Sequence, residues 1–65
     1  MCRSIVQLRR PEGATEDEVT AAARQFVRKI SGYRKPSKAN EEVFEQAIEE
    51  IAAASRHLLD HLVVR

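Results

Sequence analysis

Apolar residues recur along this chain at helical spacing twice, with a polar bend between the two stretches. Val19, Ala22, Ala23, Phe26, Val27 and Ile30 follow one another at i, i+3, i+4, i+7, i+8 and i+11, which is one stripe of an α-helix. Both ends of that helix are marked in the sequence. Thr15-Glu16-Asp17-Glu18 matches a capping box, in which the Thr15 hydroxyl accepts from the Glu18 amide and the Glu18 carboxylate accepts from the Thr15 amide. Three carboxylates fall in the first turn and Arg28 and Lys29 in the last, each complementing the helix dipole. Gly32 stands where a left-handed cap residue is wanted. The pattern predicts helix 1 over 15–31.

The second stripe is Val43, Phe44, Ala47, Ile48, Ile51, Ala54, Leu58 and Leu62, with Ala52, Leu59 and Val63 beside it. No glycine or proline interrupts it, and it predicts helix 2 over 38–63. Residues 32–37 make the turn, where Lys35 precedes Pro36 and is expected to be extended. Ser37 is the first candidate for the N-cap. Asn40 is the alternative, because Glu41 and Glu42 then fill its first turn. Residues 1–14 carry only a short apolar run, Ile5, Val6 and Leu8, closed by Pro11 and Gly13, and read as an extended arm or as a short strand, which would need a partner chain to pair with.

At 1.5 Å per residue the two helices measure about 25 Å and nearly 40 Å. A tight turn makes them antiparallel. Helix 1 then ends near the level of Ala54 and leaves Leu58 and Leu62 uncovered. The arm, through Ile5 and Leu8, and a second subunit are the two available covers. The expected fold is therefore all-α: an antiparallel two-helix hairpin with an N-terminal arm, two hairpins pairing into a four-helix arrangement.

Length and composition support that expectation. Sixty-five residues allow one domain, spanning 1–65, and exclude the large enzyme scaffolds. A core this small supplies roughly 3–5 kcal/mol, and such chains usually add disulfides, a metal or a partner subunit. A single cysteine excludes an internal disulfide and fits a cytoplasmic protein. No apolar run approaches the roughly 20 residues of a membrane span. A homo-oligomer without a cofactor is the expectation.

The net charge of +1 is a sum over uneven parts. Residues 1–14 carry +2, residues 15–31 are neutral, residues 32–40 carry +3 and residues 41–65 carry −4. Arg28, Lys29, Arg34, Lys35 and Lys38 crowd the bend, with Tyr33 and the Ser37 hydroxyl beside them. One reading is a contact for phosphate, a nucleic-acid backbone or another macromolecule. The other is a solvated turn whose cations cap helix 1 and pair with Glu41, Glu42 and Glu45.

One stretch is specific enough to carry a resemblance. Met1-Cys2-Arg3 opens the chain, and Arg28-Lys29-Ile30-Ser31-Gly32 leads into Lys35-Pro36-Ser37-Lys38-Ala39-Asn40. Phe44, Ala47, Ile51-Ala52 and Leu58-Leu59 follow at matching spacing. The chain resembles, over essentially all its length, a small bacterial family known as domain of unknown function twenty-two seventy-seven. That resemblance implies a compact helical cytosolic protein and carries no activity. The chain departs from it at Ser4, where asparagine is usual, and at Arg9-Arg10-Pro11, where an aromatic, proline-rich segment is usual. Many relatives also continue into a charged tail.

Two further groupings bear on chemistry. His57 and His61 stand one helical turn apart, a spacing that suits two ligands on one metal, and Cys2 is the third ligand if the arm folds back. The plainer reading has both histidines flanking the apolar stripe. Cys2, beside Arg3 and the amino terminus, is a nucleophile if those cations lower its pKa, and otherwise a small apolar residue packing the arm. No catalytic triad, glycine-rich phosphate loop or embedded acid pair accompanies them. Three functions follow in order: a non-enzymatic interaction module, a nucleic-acid-binding accessory working through the bend, and a thiol- or metal-dependent activity at Cys2, His57 and His61.

Overall fold

The computed structural model describes residues 7–9 and 13–63. Within them the chain is all-helical, with two α-helices and no strand. Helix α1 spans Glu16–Ser31 and helix α2 spans Glu41–His61. A 3-10 turn, Lys38–Asn40, precedes α2.

The ends of α1 form from local chemistry. The Glu18 amide donates to Thr15 Oγ1 at 3.1 Å, and the Thr15 amide donates to Glu18 Oε1 at 2.9 Å. Two amides that the helix itself leaves unpaired are thereby satisfied. At the other end Gly32 takes φ 77°, and its amide donates to the Arg28 carbonyl at 2.9 Å. A Cβ at Gly32 meets no atom within 4 Å, so glycine is wanted there for its backbone conformation alone.

Helix α2 differs from the sequence expectation at both ends. Residues 38–40 wind as a 3-10 turn instead of α-helix, and neither Ser37 nor Asn40 caps with its side chain. Their side chains bond each other instead, Asn40 Nδ2 donating to Ser37 Oγ at 3.0 Å. The α-helix stops at His61, and Leu62 is extended with ψ 134°, so residues 62 and 63 are not helical. His61 folds back along the last turn, with Nδ1 2.8 Å from the His57 carbonyl oxygen.

The helices run antiparallel, since Arg24 meets Glu45 while Glu16 meets Arg56. The buried residues are Val19, Ala23 and Val27 of α1 with Phe44 and Ile48 of α2. Ala47, Ile51 and Ala52 pack half-buried against Ala23, Val27, Phe44 and Ile48. Contrary to a stripe that is core throughout, Phe26 and Ile30 are 43 % and 67 % exposed, and Val43 is 64 % exposed. The reason is geometric. A helix lying against one neighbour buries a narrow line of residues, and these apolar stripes are wider than that line.

The length mismatch is present, with α1 about 24 Å long and α2 about 31 Å. Arg56 marks the level at which α1 begins, and beyond it Leu58 and Leu62 are exposed and Leu59 half-buried. In the arm Leu8 is half-buried between exposed Gln7 and Arg9, and Ile5 lies outside the described residues.

The caps make a direct prediction. Thr15→Ala is expected to cost about 1 kcal/mol, and Gly32→Ala about 1–2 kcal/mol because alanine resists the left-handed region. Urea unfolding followed by circular dichroism measures both, and an effect below a few tenths of a kcal/mol at either site contradicts the assignment.

Candidate binding surfaces

The ion pairs divide the hairpin into two faces. Arg24 Nη1 and Nη2 donate to Glu45 Oε2 and Oε1 at 2.9 and 3.4 Å, a two-pronged pair across the seam between the helices. At the far end the Arg56 guanidinium acts as a clasp. Its Nε donates to Glu16 Oε1 at 2.9 Å, Nη2 to the Ala14 carbonyl at 3.1 Å and Nη1 to Asp60 Oδ1 at 3.4 Å. Thr20, Arg24, Glu45, Glu49 and Arg56 line one shallow groove along this side.

The opposite side follows from the 100° step between successive helical residues. Thr20 and Arg24 lie to one side of the buried Val19–Ala23–Val27 line of α1, and Ala22 and Phe26 lie to the other. In α2 Glu45 and Arg56 flank the buried Phe44–Ile48 line on one side, and Val43, Ala47, Ala54 and Leu58 flank it on the other. Because Arg24 pairs with Glu45, those two flanks form one face of the hairpin. The remaining flanks therefore share the second face. It carries Phe26, Val43 and Leu58, all exposed, with Ala22 and Ala47 half-buried among them; Ile30, also exposed, continues the Val19–Ala23–Val27 line at the end of α1. The sequence names Ile5, Leu8, Leu58 and Leu62 for a dimer or arm contact; Phe26 and Val43, which it assigns to the apolar stripes, are exposed on this face.

The basic bend is the third surface. Lys29, Arg34, Lys35 and Lys38 are exposed, as are Tyr33 and Ser37, while Arg28 is half-buried. Among the described residues none of these five cations makes an ion pair; the carboxylate of Glu45 is taken by Arg24 instead. The Arg28 Nε–H is shielded from solvent and meets no acceptor. Arg28 and Arg34 line a groove with Arg24, Lys35, Glu41 and Phe44, and both also line a second concavity with Lys29 and Tyr33. The Tyr33 amide donates to Ser31 Oγ at 3.2 Å, and the Ser37 hydroxyl is engaged by Asn40.

At the end of α2 the His57 and His61 rings stack, with centroids 4.2 Å apart and planes inclined by 19°. Both side chains are exposed. Among the described residues no group of three or more histidine, cysteine, aspartate or glutamate side chains is placed to hold a metal ion. Cys2 lies outside the described residues. Also among them, no helix is long and apolar enough to cross a membrane.

These features define a small helical-hairpin protein with one ion-paired face, one apolar face and a basic bend. The chain belongs to the family described as "Uncharacterized conserved protein (DUF2277)", which matches residues 1–65. No curated protein and no solved structure matches it.

The clasp separates two contributions. Arg56→Ala is expected to destabilise the hairpin by about 1 kcal/mol, after allowance for the solvent around a partly exposed pair. Glu16→Ala is expected to cost less, because the bond from Arg56 to the Ala14 carbonyl survives. Chemical denaturation of both variants checks the order, and a larger loss from Glu16→Ala contradicts it.

Proposed function

We propose that this protein is a non-enzymatic interaction module whose working form is a pair of hairpins, joined through their apolar faces into a four-helix arrangement. The observation that carries the reading is the segregation of the two faces. One face closes its own polar contacts across the seam, through Arg24–Glu45 and Arg56–Glu16. The other leaves Phe26, Val43 and Leu58 in water. Contiguous apolar patches on a small soluble protein mark sites of association.

Size supports a second copy as the occupant. Five buried residues among those described make a thin core, and pairing the faces gives each helix a second neighbour. The rim carries both signs, Lys29 on α1 and Glu50 on α2, so a two-fold pairing meets no wall of like charge.

Light scattering on the purified protein tests this. The expected mass is that of two chains, and Phe26→Glu with Val43→Glu is expected to yield single chains, because both residues are already exposed in the hairpin. A wild-type protein that stays single at high micromolar concentration, with a cooperative melt, would overturn the reading.

A further inference from the structure

A second surface, independent of the pairing face, has the makings of a ligand site. The hairpin and its turn carry four arginines, Arg24, Arg28, Arg34 and Arg56. Two are committed: Arg24 to Glu45, and Arg56 to Glu16 and Asp60. The other two, Arg28 and Arg34, make no ion pair among the described residues, and they line the same groove together with Lys35. An anion entering that groove displaces no carboxylate from them. For Arg28 the approach is favoured further, because its Nε–H is cut off from water without an acceptor. A buried donor in that state is unfavourable, and a swing of the guanidinium onto an anion satisfies it.

The groove also limits what the anion is. Its lining holds Arg24, Arg28, Arg34 and Lys35 against Glu41 and Glu45, a surplus of two positive charges. Phe44 and Pro36 supply an apolar floor. Two guanidinium forks and one ammonium offer more donors than the two oxygens of a carboxylate accept. A phosphoryl group, with three terminal oxygens and about two charges, matches them better. A long polyanion fits poorly. Running from the groove along α2, it meets Glu41, Glu42, Glu45, Glu49 and Glu50, which line an adjoining surface.

We infer that the groove between the end of α1 and the start of α2 binds a compact phosphate-bearing small molecule, held by Arg28, Arg34 and Lys35. Nucleotides and simple polyphosphates share that chemistry. A nucleic-acid strand is the competing macromolecule, disfavoured by the acidic flank of α2.

Calorimetric titration of the full chain at low salt tests the inference, with pyrophosphate, a nucleoside diphosphate and a single-stranded oligonucleotide as probes. Saturable binding of pyrophosphate, one per chain, is expected, and it should weaken as salt is raised. Tighter binding of the nucleoside diphosphate than of pyrophosphate would assign the ligand to nucleotides, and equal binding to the polyphosphate group alone; both outcomes support the site. Arg28→Gln with Arg34→Gln is expected to weaken binding at least tenfold, and Arg9→Gln, which also removes a positive charge, to leave it within twofold. Should the double variant lose its helix content, Arg34→Gln alone, at an exposed turn position, is expected to weaken binding several-fold. Failure of both phosphate probes to bind, binding that survives Arg34→Gln unchanged, or tighter binding of the oligonucleotide than of either would overturn the proposal.

Discussion

Two helices in contact share a single line, and the rest of this molecule is arranged around that constraint. Ala23 and Val27 meet Phe44 and Ile48 along the line, Val19 is buried on the same side of α1, and no other described residue is buried. Each helix carries apolar residues over a wider arc than one neighbour covers. The surplus falls on one side of the hairpin, because the other side is closed by Arg24–Glu45 and the Arg56 clasp. Those pairs add little energy at partly exposed positions. Their larger effect is on register: they hold α1 against α2 so that the apolar flanks of both helices lie side by side.

The same constraint shapes the bend. A helix that ends at Gly32 and another that begins after Pro36 leave little room for carboxylates between them. The cations of residues 28–38 sit at that end, and Glu41 and Glu45 line the same groove as Arg28, Arg34 and Lys35 without forming ion pairs with them. Glu45, the nearest candidate across the seam, is held by Arg24. Arg28 and Arg34 are consequently uncommitted, and the basic character of the bend is not consumed by the fold.

Much of this was legible in the sequence where the signal is local. The capping box at Thr15–Glu18 and the left-handed Gly32 fix α1 through contacts no more than four residues apart. The antiparallel hairpin and the overhang of Leu58 and Leu62 follow from helix lengths and a short turn. The stripe read through Phe26 and Ile30 was a true statement about apolarity, but not about burial, since periodicity says which side of a helix avoids water and not what covers it. Ser37 and Asn40 are both good caps: Asn40, the alternative, stands at the N-cap of α2 and Ser37 at that of the 3-10 turn, but their side chains bond each other and not the amides of the helix. The pairs Arg24–Glu45 and Arg56–Glu16 join residues 21 and 40 positions apart and leave no mark in local spacing.

The central claim is that the hairpin is half of a core and gains the other half from a second copy. Thermal unfolding as a function of protein concentration tests it most directly, because association and folding are then one equilibrium. The midpoint is predicted to rise by several degrees as concentration increases a hundredfold. A cooperative transition whose midpoint stays fixed over that range would contradict the account.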